Sequence, residues 1–197
     1  MQPLGVILAG GQATRMGGGD KGLLPLGAGS ILSHVIGRLE PQVASMCLNA
    51  NGDGARFQGF GLPVVADSVA EFPGPLAGVL AGMDWAAERG ASHIVTAAAD
   101  TPFFPGDLVP MLQLAAEEQG KPIALARTTD GRHPTFGLWP VELREDLRDE
   151  LLAGTRKVLA WTDKHGTAFA DFPSGEIDPF FNVNTPEDLA KAQAVVS

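Results

Sequence analysis

Two cations sit inside an unusually glycine-rich stretch. From Leu8 to Gly22 the chain reads Leu-Ala-Gly-Gly-Gln-Ala-Thr-Arg-Met-Gly-Gly-Gly-Asp-Lys-Gly. Glycines let backbone amides approach a phosphate chain closely and adopt positive φ. Arg15 can add a bidentate fork and Lys21 a compact point charge. A flexible surface turn is the plain alternative, but an idle turn rarely carries two cations among so many glycines. Two familiar phosphate motifs do not fit. A P-loop needs Ser or Thr after Gly-Lys, and Gly22 follows Lys21. Gly17 to Gly22 matches G-x-G-x-x-G formally, yet it starts well beyond the first apolar run and leads toward Pro25 instead of a helix.

Carboxylates and amides recur where apolar runs end. Asp100 closes such a run and precedes Thr101-Pro102. Magnesium is commonly held by one or two carboxylates plus substrate phosphates and water, so Asp100 suits a metal ligand. A cap or turn aspartate is its simpler reading. Asp67 closes a third run, and Asn49, with both donor and acceptor groups, sits at the end of a second. Asn182 and Asn184 stand two apart, which turns both side chains to one side of an extended segment. Arg156 and Lys157 offer charge for an anionic acceptor, or simply a solvated helix face. His133, before Pro134, reads as structural, and His34 and His165 receive no role.

These groups need elements to hold them. Leu4 to Ala9 is a short apolar run and predicts a buried strand. Ser30 caps a helix with apolar positions Ile31, Leu32, Val35, Ile36 and Leu39, stopped by Pro41. Strands follow over Ser45 to Ala50 and Leu62 to Ala66, with a turn at Asn51-Gly52-Asp53-Gly54 between them. Leu76, Val79, Leu80 and Met83 follow helical spacing after Gly74-Pro75. His93 to Ala99 predicts a fourth strand and Pro105 to Gln119 a helix. Lys121 to Arg127 and Pro134 to Trp139 read as two strands around the turn at Thr129 to Arg132. Helices are expected over Glu142 to Leu152 and Thr155 to Thr162, then a short strand near Phe180. Thr185-Pro186-Glu187-Asp188 opens a final helix, with Thr as cap, Pro at the first position and acids at the positive end.

Strands alternating with helices predict an α/β fold with a doubly wound, mostly parallel sheet and a small antiparallel addition near 121–139. A length of 197 residues suits one domain. Residues 1–105, with the glycine-rich stretch and Asp100, are expected to serve as its nucleotide and metal half and 106–197 as its acceptor half. In such sheets ligands bind beyond the carboxyl ends of the strands, where Gly10, Asp67 and Asp100 all fall.

Composition narrows the partners. The formal charge of −9 disfavours nucleic acid, which needs basic patches, so an anionic ligand must be met by local cations and amides. No apolar stretch approaches the ~20 residues of a membrane helix. Neither a signal peptide nor a membrane association is expected, and Cys47, the single cysteine, suits a reducing cytoplasm.

Taken as a string, Leu-Ala-Gly-Gly-x-x-x-Arg-Met-Gly-Gly-x-Asp-Lys-Gly resembles the nucleotide-binding loop of molybdenum cofactor guanylyltransferases, the MobA family of nucleotidyltransferases. Gly11 and the Asp20-Lys21 pair point to the guanylyl branch; cytidylyl relatives usually begin Leu-Ala-Ala-Gly. The resemblance continues in order through Asn49-Ala50-Asn51, Asp67, Gly74 to Gly78, Asp100-Thr101-Pro102, His133-Pro134, Gly154 to Val158 and Asn182 to Glu187. Ala97-Ala98-Ala99 departs from it, where a cysteine or proline is frequent.

The resemblance implies a magnesium-dependent enzyme that moves GMP from GTP onto the terminal phosphate of molybdopterin. It makes Leu8, Ala9, Gly10, Gly11, Lys21, Asn49, Asp67 and Asp100 GTP contacts, with guanine read by backbone groups of Leu8, Ala9 and Gly10. Asp100 becomes the Mg2+ ligand, and Arg15, Lys21 and Asp100 the catalytic set. Asn182, Asn184 and Arg156 fall to the acceptor, with amides of the final helix assisting an anion. Molybdoenzyme-specific chaperones or cofactor-insertion proteins are possible further partners. A cytidylyltransferase, a sugar-phosphate nucleotidyltransferase and a non-catalytic GTP-binding regulator or chaperone remain the alternatives.

Overall fold

Short apolar strands buried on both faces set the centre of the molecule. The computed structural model describes residues 2–10, 20–69, 74–175 and 177–196. In chain order its elements are β1 (Leu4–Leu8), β2 (Pro25–Leu26), β3 (Gly29–Ser30), α1 (Ile31–Leu39), β4 (Met46–Asn49), β5 (Val64–Val65), α2 (Pro75–Ala87), β6 (His93–Ala98), α3 (Leu108–Gln119), β7 (Ile123–Thr128), β8 (Gly131–Pro140), α4 (Arg144–Leu152), α5 (Val158–His165), β9 (Thr167–Asp171) and α6 (Pro186–Val196). Seven strands form one sheet in the order β5-β4-β1-β6-β8-β7-β9, and β2 pairs with β3 in a separate small hairpin. β8 runs antiparallel to both its neighbours, while every other pairing in the large sheet is parallel.

Alternate strand residues feed two cores. Ile7, Val95, Ala97, Ala124 and Ala126 face α1 and α3, meeting Leu32, Val35, Leu108 and Leu112. Val6, Ile94, Ile123 and Leu125 face α2, α4 and α5, meeting Leu76, Leu80, Leu147 and Trp161. This is the pattern of parallel strands covered on both sides. On α2, Gly82 lets the helix lie directly on the sheet, since a Cβ there would stand 2.6 Å from Val6 Cγ2. A third, smaller cluster joins α6 to the β2–β3 hairpin through Leu26, Ile31, Val183 and Ala192.

Local signals hold at the helix starts. Ser30 and Ser33 form a reciprocal capping box on α1. Thr185 Oγ1 accepts from Asp188 N at 3.1 Å, and Asp188 Oδ2 accepts from Thr185 N at 3.0 Å. Trp139 donates to Thr96 Oγ1 and Trp161 to Asp146, so both indoles are satisfied packing residues, and Cys47 is fully buried. Burial pushes the Cys47 thiol up to about 12.

The expected strand near Phe180 is a correction. That stretch is a loop whose Phe180 ring packs edge-on to Phe136 and Phe172. The last strand is instead β9, parallel to β7. The helix expected from Thr155 starts at Val158, because Thr155 completes the end of α4: its N–H bonds Glu150 O at 2.9 Å and its hydroxyl bonds Glu150 Oε2 at 2.7 Å. β5 shrinks to two residues at the sheet edge, behind Pro63, which has no N–H to donate. No helix among the described residues is long and apolar enough to cross a membrane.

Candidate active site

The strand order reverses around β1, with β4 and β5 on one side and β6 on the other, and a cleft of about 1070 Å³ opens beyond their carboxyl ends. Its floor is Leu8, Ala9 and Gly10 at the end of β1, Asn49 at the end of β4, and Ala98, Ala99 and Asp100 at the end of β6. That volume lies at the upper end of small-molecule sites and suits two substrates held together.

One wall is a carboxylate held between amides. Asn49 is 2% exposed, and its Nδ2 donates to Asp67 Oδ1 at 2.9 Å and to Val65 O at 3.3 Å. Asn51 Nδ2 donates to Asp67 Oδ2 at 2.7 Å, while its Oδ1 accepts from Asp67 N at 2.9 Å. Asp67 is therefore fixed as an acceptor that faces the cleft.

The opposite wall carries charge. Lys21 opens a short 3-10 turn, and its Nζ donates to Asn184 Oδ1 at 2.6 Å and stands 3.9 Å from Asp100 Oδ2. Both side chains are partly sheltered, at 18% and 29% exposure. Gly22 makes room for this turn, since a Cβ would press on Leu32 and the Ala99 carbonyl. Thr101 Oγ1 donates to Asn182 Oδ1 and also lies 3.3 Å from Asp100 Oδ1. Val183 N donates to Asp100 O at 2.8 Å, pinning the Asn182–Asn184 segment beside the carboxylate. Burial pushes the Asp100 carboxyl above its ordinary range, against the pull of Lys21 and Thr101.

The sequence-derived residues thus divide. Leu8, Ala9, Gly10, Asn49 and Asp67 gather on one side and Lys21, Asp100 and Asn182 on the other, with Asn184 bonded to Lys21. Asn182 Oδ1 meets Thr101 and Asn184 Oδ1 meets Lys21, with Val183 between them buried in the satellite core. Arg156 is exposed, and its carbonyl borders Gly74 at the cleft rim. Arg15 and Gly11 lie outside the described residues. His133 stacks on Phe180 at 4.3 Å and stays structural.

Two expectations change. The amides opening α6 are less available to an anion than expected, because Asp188 Oδ2 already accepts from both Asn184 N and Thr185 N. Around β1, Leu8 O accepts from Ala99 N and Ala9 N donates to Asn49 O, so part of the backbone assigned to guanine serves the sheet. Sequence reasoning also passed over Arg56 and the Thr101 hydroxyl. Neither carries a local periodic or glycine-linked signal.

Gly78 on α2 faces this site. A Cβ there would lie 2.2 Å from Asn49 Oδ1 and 2.9 Å from Leu8 Cδ2. Gly78→Ala should displace the Asn49 amide and weaken nucleotide binding about tenfold, with a stability loss of ~1–3 kcal/mol. Nucleotide titration beside a thermal melt checks this; unchanged affinity would show that the Asn49 wall tolerates the methyl.

A family model described as a MobA-like NTP transferase domain matches residues 5–168. The chain is 51% identical over 193 residues to a molybdenum cofactor guanylyltransferase of Mesorhizobium japonicum, covering 95% of this chain and 93% of that protein. It is 53% identical to one of Rhodopseudomonas palustris, covering 96% and 92%. In fold it is similar to molybdopterin-guanine dinucleotide biosynthesis protein A from Archaeoglobus fulgidus, with a TM-score of 0.75 at 22% identity, covering 98% of this chain and 97% of that one.

Proposed function

The chain is a nucleotidyltransferase belonging to the MobA-like NTP transferase family, and from that premise we propose that it transfers GMP from GTP to the terminal phosphate of molybdopterin, forming the guanine dinucleotide cofactor and pyrophosphate. One observation carries the reading. A single cleft is lined by an acceptor-only carboxylate, Asp67, and by the Lys21–Asp100 pair with Asn182, while Asn184 braces Lys21. A nucleoside triphosphate laid between them has its base near Asp67, its phosphates near Lys21 and its acceptor beside the asparagines.

The donor set also fits magnesium. Among the described residues no group of three His, Cys, Asp or Glu side chains could cage a metal. Asp100 would hold Mg2+ together with substrate phosphates, the usual arrangement for this ion. When bound, the ion supplies charge neutralisation at the transferring phosphate.

The chain's own residues do the rest. An acceptor phosphate oxygen is already anionic near neutral pH, so it forms the new bond to the α-phosphorus without a strong general base. The bond from that phosphorus to the pyrophosphate oxygen breaks. Lys21 neutralises charge that gathers on the phosphates, and Asn182 and Asn184 align the acceptor. Alignment and electrostatics suffice for such a transfer.

Guanine specificity follows from Asp67. Guanine presents two adjacent donors, N1–H and the 2-amino group, to which a carboxylate is complementary. Cytosine and adenine present a donor beside an acceptor. Asp67→Asn should therefore lower the GTP-over-CTP preference by about tenfold to hundredfold, with little change in the phosphate contacts. The decisive assay compares GTP, CTP and ATP with molybdopterin, with and without Mg2+, reading pyrophosphate release. A clear preference for CTP overturns the guanylyl assignment, and release without added metal overturns the magnesium assignment.

A further inference from the structure

Asp20 and Lys21 are neighbours in the chain, yet their side chains are anchored on different partners. Lys21 reaches Asn184 and Asp100, while Asp20 Oδ2 accepts from Arg56 Nε. Arg56 lies in the 3-10 helix Gly54–Phe60, after the turn that carries Asn51. Its remaining nitrogens are also engaged: Nη1 donates to Asp53 O, and Nη2 donates to Asn51 O at 2.8 Å. The guanidinium stands 4.5 Å from the centroid of the Phe57 ring, and that ring is 1% exposed. Arg56 and Asp20 are themselves partly sheltered, at 29% and 18% exposure.

We propose that Arg56 is a positioning residue for nucleotidyl transfer, which ties the Asp20–Lys21 corner to the turn holding Asp67 and neutralises the Asp20 carboxylate beside the triphosphate path. The inference rests on the nucleotidyl-transfer reading of the cleft. Its physical basis is the sharing of one rigid fork. A guanidinium presents its donors in a fixed plane, so partners from separate segments cannot shift independently while it is engaged. One of those partners precedes Lys21. Another is the backbone of Asn51, whose side chain orients Asp67. Distance between the nucleoside wall and the phosphate wall is thereby set on one side of the cleft. Asp20 adds an electrostatic reason: left unpaired, its negative charge would stand next to Lys21 and oppose an incoming triphosphate.

Arg56→Gln keeps a planar polar group but loses the charge and the full fork. In the intact protein it should raise the KM for GTP and lower kcat, with kcat/KM down about tenfold to hundredfold and a near-parent melting temperature. Arg56→Lys, which keeps the charge alone, should recover part of the loss. Asp20→Asn should do less damage than Arg56→Gln, and the double variant should be no worse than Arg56→Gln, because both changes break one link. A merely structural role predicts otherwise: a lower melting temperature with parent KM and kcat per folded molecule. That result, or single effects that multiply in the double variant, overturns the proposal. Titration of the parent protein and Arg56→Gln with GTP and CTP, run beside the turnover assay, keeps the two levels apart. Parent binding without pyrophosphate release sinks the proposed reaction, while weakened binding in Arg56→Gln still upholds the positioning role. A parent protein that binds neither nucleotide sinks both.

Discussion

Replacing Asp100 by Asn is expected to lower turnover by about a thousandfold while leaving a folded protein. The side chain is nearly isosteric, and the Val183 N to Asp100 O bond that pins the Asn182–Asn184 segment is made by the backbone, so it survives. What disappears is the carboxylate 3.9 Å from Lys21 that would share a cation with substrate phosphates. Half-saturation by Mg2+ should move to much higher concentration in the variant. Burial raises the Asp100 pKa, so protons compete for this oxygen at a higher pH than for an ordinary carboxylate. Activity should accordingly decline on acidification earlier than a solvent-exposed aspartate would predict, and added Mg2+ should shift the decline toward lower pH. Stability runs the other way. A carboxyl whose folded pKa is raised holds its proton more tightly folded than unfolded, so its ionisation destabilises the fold as pH rises through that window. Asp100→Asn should therefore melt higher than the parent at neutral pH, with the difference vanishing below the ordinary aspartate range. A parent-like turnover, or a lower melting point at neutral pH, would falsify this assignment.

Lys21→Ala should cut kcat by about a hundredfold to a thousandfold, again in a folded protein. Its ammonium is held ready by Asn184 at 2.6 Å and lies 3.9 Å from Asp100. The ground-state contacts are modest, so the larger loss belongs to the step in which charge builds on the departing pyrophosphate. Lys21→Arg should restore only part, since a planar fork does not replace a compact ammonium at this spot. Steady-state kinetics with circular dichroism on the same samples gives the test; near-parent kcat in folded Lys21→Ala removes the lysine from the mechanism.

Much of this architecture was legible because its signals are local. Runs such as Leu4 to Leu8 and His93 to Ala98 are short and mostly apolar, and buried parallel strands leave that pattern regardless of what surrounds them. The Ser30 and Thr185 caps are chemistry between residues three apart, so no tertiary knowledge is needed to see them. β9 escaped notice for the opposite reason. Thr-Ala-Phe-Ala-Asp has weak strand preference, and its partner, β7, lies some forty residues earlier. Phe180 misled because an aromatic pair fits a strand and a packed loop equally well. The rings of Phe136, in β8, and Phe172, just after β9, select the loop.

For the site, sequence alone determined which side chains are available: the cations of the glycine-rich stretch, the carboxylates Asp67 and Asp100, and the amides Asn49, Asn182 and Asn184. Order along the chain was enough to place Asn49, Asp67 and Asp100 at strand ends. Tertiary structure alone decided who pairs with whom. It put Asn184 on Lys21 across 163 positions, Asn182 on Thr101, and Arg56 on Asp20. The reason is physical: a helix or strand is selected by nearest neighbours and a repeating period, whereas a side-chain pair between distant segments depends on where the whole sheet brings their backbones, and no local pattern encodes that distance.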